Sequence, residues 1–155
     1  MGQGVVRQAH AAAPMPLRQL AFGSGETSTA TDIGHLILRL GFGLTMAFAH
    51  GLGKVPPSEG FINATASMGF PLPTLFAWAA GLSELLGGVL IAIGLATRPA
   101  AFFLAITMAV AAFVRHGPDP FSDKEMALLY LFASVVLVVA GAGRYAVDRA
   151  LRKTT

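Results

Sequence analysis

Residues 80–95 read AGLSELLGGVLIAIGL and place a single glutamate, Glu84, inside a long apolar run. With its flanks the run reaches about 20 residues, the length that an α-helix needs to cross a bilayer. A charged side chain at that depth costs roughly 2.5–3.5 kcal/mol on insertion scales. The fold must therefore give Glu84 a polar environment inside the membrane.

The helical neighbours of Glu84 are small. The residues three and four positions away are Ala80, Gly81, Gly87 and Gly88. Small residues on one stripe of a helix allow a second helix backbone to approach closely. The pattern predicts that Glu84 faces a helix–helix contact and not lipid.

The composition indicates that lipid is the solvent of this chain. It has 155 residues, of which 54% are hydrophobic and 12% charged, against about 25% charged in soluble domains. The net charge of +3 does not indicate nucleic-acid binding, because the basic residues flank the apolar segments and form no patch. The absence of cysteine excludes disulfides, a thiol nucleophile and Cys-ligated metal centres.

Four apolar segments predict four transmembrane helices, at about 33–53, 73–95, 99–114 and 126–143. Asp32 is a candidate N-cap for the first, and proline opens the second and third, where its missing N–H is harmless. None of the segments has the charged outer face that a helix in a soluble bundle needs. We therefore predict an all-α integral membrane protein, a four-transmembrane-helix bundle.

The rest of the chain falls into two tails. Residues 1–31 lack an apolar run long enough for a signal peptide and are predicted to be a flexible N-terminal tail. Residues 32–150 form the predicted bundle, and residues 151–155 a basic C-terminal tail.

The basic residues also predict the orientation of the bundle, because cytoplasmic loops are enriched in Lys and Arg. If both termini share one side, that side holds Arg7, Arg18, Arg98, Arg144, Arg149, Arg152 and Lys153. The other side holds Lys54, Arg115 and Lys124. The asymmetry predicts that both termini are cytoplasmic.

The first helix carries a polar stripe at steps of three and four residues, on which Arg39, His50 and Lys54 lie. Counting about 1.5 Å per residue from the outer helix ends, Arg39 and Glu84 have compatible depths, so we expect an ion pair between them. Such a pair can be a buried staple that fixes helix register. It can also line a pocket for a polar head group, such as a quinone carbonyl, or belong to a proton path. Both interpretations stay open.

A weaker polar cluster is expected at the outer face. It contains Arg115, His116 and Glu125 beside His50 and Lys54, with Asp119, Asp123 and Lys124 as a hydrated rim. No tight ligand spacing such as H-x-x-x-H occurs, so we predict no metal site. His50 is the better candidate for a proton donor or a hydrogen-bond partner of a quinone.

Three stretches resemble the signature regions of the DoxX family. They are LILRLGFGLTMAFAHGLGKV (36–55), GFPLPTLFAWAAGLSELLGGVLIAIGLATRPAA (69–101) and EMALLYLFASVVLVVAGAGRYAVDRAL (125–151). The matching positions are Arg39, His50, Gly51, Lys54, Gly69, Pro71, Pro73, Glu84, Leu85, Gly87, Gly88, Thr97, Arg98, Glu125, Gly141, Gly143, Arg144, Tyr145 and Asp148.

The resemblance implies a small four-helix protein of the bacterial inner (plasma) membrane. Name-giving relatives are associated with a thiosulfate:quinone oxidoreductase, and others are membrane partners of soluble redox enzymes. It also implies a quinone as the cofactor. Because this chain has no cysteine, any thiol chemistry must come from a partner or a small molecule.

We therefore predict a multi-pass inner-membrane subunit of an oxidoreductase system that interacts with quinone through a polar intramembrane pocket. The candidate pocket residues are Arg39, His50, Lys54 and Glu84. If the chain is active, it is a quinone-linked subunit that needs a partner. The alternatives are a non-catalytic membrane anchor or assembly partner for a redox enzyme, and a small-molecule or proton transporter. The expected partners are the lipid bilayer, a redox-enzyme subunit and further copies of this chain, and no nucleic acid is expected.

Overall fold

The computed structural model describes residues 29–153, and all regular structure in that range is helical. Six helices follow one another: α1 (Thr29–Lys54), α2 (Glu59–Ser67), α3 (Pro73–Ile93), α4 (Thr97–Arg115), α5 (Phe121–Ala140) and α6 (Val147–Lys153). Most of the predicted N-terminal tail, residues 1–28, and the last two residues lie outside the described range.

Three of the helices, α1, α3 and α4, are long and apolar enough to cross a membrane. This confirms the all-helical prediction, and three of the four expected spans are candidate membrane-spanning helices. Helix α5 is 20 residues long, but its first two turns carry Asp123, Lys124 and Glu125. With these charged residues, α5 does not meet the criteria of length and apolar composition that α1, α3 and α4 meet.

Helix boundaries differ from the predicted ones at several ends. Helix α4 begins at Thr97 and α5 at Phe121, both earlier than the apolar runs suggested. Helix α5 ends at Ala140 because Gly141 adopts a φ of 80°, a conformation that interrupts helical hydrogen bonding. The predicted boundaries were taken from the apolar runs. Helices α4 and α5 extend beyond those runs at their first residues, and α5 ends before a glycine.

Helix α2 lies in a segment that the sequence interpretation treated as a loop. Ser58 caps its first turn, because the Ser58 hydroxyl accepts a hydrogen bond from the backbone N–H of Phe61 at 3.2 Å. Its mean apolar content is modest and it spans nine residues, so it is too short to cross a bilayer.

Helices α1 and α3 pack with their backbones in close contact. A Cβ built on Gly43 would lie 2.7 Å from the backbone nitrogen of Ala92, and one built on Gly88 would lie 2.8 Å from that of Ala47. The contacts run antiparallel, as three pairs show: Gly43 with Ala92, Ala47 with Gly88, and Lys54 with Gly81. The prediction that the small residues around Glu84 face another helix is confirmed.

The substitution Gly88→Ala is expected to lower the free energy of unfolding by about 1–3 kcal/mol, because overpacking a close contact has that cost. The added methyl group would meet backbone atoms of α1, which cannot move aside as a flexible side chain can. An SDS titration of the purified protein measures the unfolding midpoint. Gly41→Ala is the matched control, since a Cβ at Gly41 meets nothing within 4 Å. Equal midpoints for the two variants would contradict this register.

The start of α1 and the segment before α6 meet at one end of the bundle, which we call the Arg39 end. Asp32 was predicted to cap α1, and this prediction is wrong, because α1 begins at Thr29. Asp32 is buried and accepts a hydrogen bond from the backbone N–H of Arg144 at 3.0 Å. Helix α6 continues to Lys153, through the boundary predicted at residue 150. We call the opposite end, where α1 reaches Lys54, the Lys54 end.

Large apolar side chains cover the outside of the bundle. Exposed examples on four different helices are Ile37, Phe48, Leu75, Phe103 and Val139. The interior contains a compact cluster that includes Met46, Ile91, Leu104 and Leu137, all fully buried. An apolar exterior around a packed core is what a lipid-embedded bundle requires.

Candidate functional site

The predicted ion pair between Arg39 and Glu84 is wrong, because Glu84 pairs with Lys54. The Lys54 ammonium Nζ lies 2.7 Å from each carboxylate oxygen of Glu84. The Glu84 side chain is 3% exposed and that of Lys54 34%. The Glu84 charge therefore has an ion-pair partner as expected, but the partner is Lys54.

The register of α1 against α3 explains this outcome. Gly51 packs on the backbone of Glu84 and Leu85, whereas Arg39 reaches the backbone of Ile91 and Ala92. Along α3 the two levels are separated by about eight residues, or about 12 Å at 1.5 Å per residue. Depths counted from assumed helix ends were not accurate enough to resolve that separation.

A pocket of about 180 Å³ opens beside the ion pair, between α1, α3, α4 and α5. We call it the His50 pocket. Its polar lining residues are His50, Lys54, Glu84, His116, Asp123 and Tyr130, and its apolar lining residues are Met46, Met108, Met126, Ala111 and Ala127. The structure thus brings together three of the four predicted pocket residues and one residue of the weaker cluster.

Two π-helical segments border the His50 pocket. Residues Met46–Gly51 take this form near the end of α1, before a final 3-10 turn at Leu52–Lys54, and residues Ala111–Arg115 end α4 in the same form. A π-turn is wider than an α-turn and changes the direction of the side chains that follow, and such turns are frequent at functional sites. The segment in α1 carries both Met46 and His50 into the pocket.

Tyr130 fixes one wall of the pocket. Its ring meets the imidazole of His50 edge-on, with centroids 5.3 Å apart, and it meets the ring of Phe42 at the same distance. Edge-to-face ring contacts of this kind are favourable. The orientation of His50 is therefore set by α5 as well as by its own helix.

The mouth of the pocket is charged. His116 lies with its Nδ1 at 2.8 Å from Oδ2 of Asp119, and Lys124 donates a hydrogen bond to the carbonyl oxygen of Gly117. Arg115 and Glu125, the other members of the weaker predicted cluster, are exposed and do not line the pocket. Within residues 29–153, no group of three His, Asp or Glu side chains is placed to hold a metal ion.

Arg39 lies at the other end of the bundle and has a different environment. It is fully buried, and its guanidinium donates to the carbonyl oxygens of Ile91 and Ala92 at 3.4 and 3.5 Å and to that of Tyr145. The first two carbonyls belong to the last turn of α3, and that of Ile91 also accepts a hydrogen bond from the backbone N–H of Gly94 at 3.1 Å. Arg39 therefore caps α3 and ties it to the segment before α6.

Asp148 caps the next helix. Its carboxylate accepts hydrogen bonds from the backbone N–H groups of Ala96 at 2.8 Å and Thr97 at 3.2 Å, at the start of α4. Its own N–H donates to the carbonyl oxygen of Gly94. Arg39 and Asp148 together hold the turn between α3 and α4. Neither residue lines the His50 pocket.

Sequence reasoning missed Tyr130 as a pocket residue and treated Asp123 only as part of a hydrated rim. Both lie on one stripe of α5 with Met126 and Ala127, at the helical steps of three and four that place side chains on one face. A search for that spacing starting from Asp123 would have found them.

The His50 pocket can bind a molecule that accepts hydrogen bonds. An ammonium carries three hydrogens, and Glu84 takes two of those on Lys54, whose Nζ also lies 5.5 Å from the centre of the Phe61 ring; the third hydrogen is not taken by Glu84. The phenol of Tyr130 and the imidazole of His50 supply further donors. The three methionines supply flexible apolar walls.

Comparison with known proteins identifies the family of this chain. The family model described as DoxX matches residues 34–117. A protein of Bacillus subtilis (strain 168) named "Putative oxidoreductase CatD" is 36% identical over 118 residues, which cover 76% of this chain and 86% of that protein. An "Uncharacterized protein" of Haemophilus influenzae is 40% identical over 76 residues, covering 44% of this chain and 57% of the relative. No solved structure matches the chain.

Proposed function

We propose, on the premise that this chain belongs to the DoxX family of membrane proteins, that its His50 pocket binds the head group of a lipid quinone. In this proposal the chain is an inner-membrane subunit of an oxidoreductase system. The printed name of the Bacillus subtilis relative supports the redox context. The observation that carries the proposal is the convergence of Lys54, His50 and Tyr130 on one pocket between the helices.

The chemistry of the lining supports a quinone head group. Each quinone carbonyl accepts hydrogen bonds, and the remaining hydrogen of Lys54 and the ring N–H of His50 are donors of the required kind. The ring between the carbonyls is flat and apolar, which suits the methionine walls. At about 180 Å³ the pocket is smaller than a typical ligand site of roughly 300–1,000 Å³, so only the head group would enter and the isoprenoid tail would remain in lipid.

Glu84 acts in this proposal as a positioning residue. Its two oxygens hold the Lys54 ammonium at the pocket wall, which fixes the direction of the remaining hydrogen. Tyr130 has the same relation to His50 through their ring contact. Preorganised donors of this kind lower the entropy cost of binding.

We also propose that α5 is the fourth span and that both termini face the cytoplasm. Helix α5 has 20 residues, enough for about 30 Å of hydrocarbon, and its charged first turns lie at the Lys54 end with the other hydrophilic groups of the pocket mouth. The excess of Arg and Lys at the Arg39 end fits the cytoplasmic side. A phosphatase fused to the C-terminus, active only outside the cytoplasm, should stay inactive, and an active fusion would contradict this orientation.

A second candidate function is a non-catalytic anchor for a redox enzyme. The observation that favours it is that Lys54 satisfies both oxygens of Glu84, so the ion pair is complete without a ligand. In that case changes to the pocket would affect abundance and assembly alone. The binding experiment below separates the two candidates.

The substitution His50→Ala is expected to weaken quinone binding about tenfold, because losing one well-placed hydrogen bond costs about 1.4 kcal/mol. The measurement is a titration of the quinone-free protein in nanodiscs with decylubiquinone, corrected for partition into empty nanodiscs. Arg115→Ala is the matched control, since Arg115 lies at the same end of the bundle and outside the pocket. Equal affinities for wild type and His50→Ala, or no saturable binding, would contradict the proposal and favour the anchor.

A further inference from the structure

A second cavity lies on the opposite side of the α3–α4 contact. It is a groove of about 330 Å³ between α2, α3 and α4, and we call it the Ser83 groove. Four of its lining residues are phenylalanines, namely Phe61, Phe70, Phe76 and Phe103. Ser83 and Thr107 line this groove, whereas the next residues along the chain, Glu84 and Met108, line the His50 pocket. The two cavities are therefore separate.

Three properties of the groove favour a small-molecule site: its volume, its aromatic wall and a pair of hydroxyl groups. Its volume falls in the range of small-molecule sites, which are mostly apolar with a few placed polar groups. The rings of Phe70 and Phe76 lie 4.6 Å apart at a tilt of 41°, so an aromatic wall is already assembled. The hydroxyls of Ser83 and Thr107 lie 2.7 Å apart at the contact between α3 and α4.

The direction of the hydrogen bond between these hydroxyls follows from the number of hydrogens. Each hydroxyl carries one hydrogen. The Thr107 hydroxyl lies 3.1 Å from the carbonyl oxygen of Phe103 in its own helix, so both hydroxyl hydrogens have a partner when Thr107 donates to that carbonyl and Ser83 donates to Thr107. The reverse direction would leave the hydrogen of Ser83 without a partner in an apolar site, which is unfavourable. Ser83 Oγ therefore has only lone pairs to offer to the groove.

The third hydroxyl in the groove does not change this polarity. Thr65 is buried, and its hydroxyl donates to the carbonyl oxygen of Phe61 in α2 at 2.9 Å. In this arrangement the single hydrogen of each threonine and of Ser83 is used within the protein, and the polar side chains that line the groove have lone pairs left to accept hydrogen bonds. A matching ligand must bring its own donor.

We propose that the Ser83 groove binds a phenol, with the aromatic ring against the phenylalanines and the hydroxyl donating to Ser83 Oγ. Contacts between aromatic rings stabilise the ring of the ligand. Its hydroxyl supplies the hydrogen-bond donor that the groove lacks. A similar compound with a carbonyl in place of the hydroxyl would place its carbonyl oxygen, an acceptor, against Ser83 Oγ, and no hydrogen bond would form between them. This site is independent of the quinone proposal, because it shares no lining residue with the His50 pocket.

The test compares 1-naphthol, a donor, with 1-acetylnaphthalene, which has only an acceptor. Both are titrated into the protein in nanodiscs, with empty nanodiscs as the partition blank. Wild type is expected to bind 1-naphthol about fivefold more tightly, the effect of one net hydrogen bond. Ser83→Ala should abolish that preference. Thr107→Val should remove most of it, because the Ser83 hydroxyl can then donate to the ketone as well as accept from 1-naphthol.

Thr45→Val is the matched control, since the Thr45 hydroxyl bonds within α1 and lies outside the groove, and it should keep the wild-type preference. Thermal midpoints of all variants verify that they are folded. Retention of the naphthol preference in Ser83→Ala would overturn the proposal. So would the absence of saturable binding, which would mean that lipid acyl chains alone fill the groove.

Discussion

Replacing Lys54 by methionine is expected to lower the free energy of unfolding by about 3 kcal/mol, the lower end of the range for removing one partner of a buried ion pair. The reason is an asymmetry in burial. Without Lys54, the Glu84 carboxylate, whose side chain is 3% exposed, stays inside the bundle without a counter-charge. Lys54 is 34% exposed, so in Glu84→Gln the ammonium can turn to water, and the loss should be about 1 kcal/mol or less.

The double variant makes the prediction specific to the pair. Glu84→Gln added to Lys54→Met removes the uncompensated charge, so the double variant should be more stable than Lys54→Met alone. Unfolding midpoints in SDS, measured for the four proteins as a double-mutant cycle, give the coupling between the two residues. Lys124→Met is a control at the same end, because Lys124 bonds only to a backbone carbonyl near the surface. A double variant less stable than either single variant would contradict the ion-pair account.

The substitution Arg39→Ala is expected to lower the free energy of unfolding by about 3 kcal/mol or more, since hydrogen bonds to charged donors contribute about 1.5–3 kcal/mol each. It would remove the donor to the carbonyl oxygens of Ile91, Ala92 and Tyr145 and leave a cavity in its place, although Gly94 would still donate to Ile91. Arg39→Lys should recover only part of the loss. A lysine ammonium is compact and lacks the planar fork of N–H donors with which the guanidinium reaches carbonyl oxygens of two segments at once.

The same variant tests whether Arg39 belongs to the ligand site. Its unfolding midpoint is measured beside that of Arg144→Ala, a control at the same end whose side chain is exposed. The protein that remains folded in Arg39→Ala should bind decylubiquinone with wild-type affinity. Normal stability combined with lost binding would contradict the structural role and return Arg39 to the pocket.

The sequence predicted the helical class and the buried position of Glu84 because both follow from local patterns. Apolar runs of bilayer length mark α1, α3 and α4, and the small residues beside Glu84 mark the face on which α1 packs. These signals depend on composition and spacing within one helix. No knowledge of the partner helix is needed to recognise them.

The partner of Glu84 could not be predicted in the same way, because it depends on how two helices are set against each other. Turn lengths, the length of α3 and the π-helical end of α1 all shift that register. An error of about two turns exchanged Lys54 for Arg39 as the partner. Backbone contacts at Gly43, Gly51 and Gly81 determine the register, and only the structure reveals them.

The candidate site was predicted in part for the same reason. His50, Lys54 and His116 were expected near one membrane surface, and they do line one pocket. Tyr130 enters that pocket from α5, where it resembled any aromatic residue of an apolar helix. Arg39 lies on the same polar stripe of α1 as His50, but the two residues are at opposite ends of the bundle. Arg39 caps α3, whereas His50 lines the pocket.

The central claim is that the His50 pocket holds a quinone head group, and covalent labelling tests it most directly. The protein in nanodiscs is irradiated with a photoreactive azidoquinone, with and without excess decylubiquinone, and the labelled peptides are identified by mass spectrometry. We predict labelling that decylubiquinone suppresses, within residues 46–54 of α1 or 123–130 of α5, the two stretches that border the pocket. Labelling confined to lipid-facing residues or to the Ser83 groove, and insensitive to decylubiquinone, would contradict the claim.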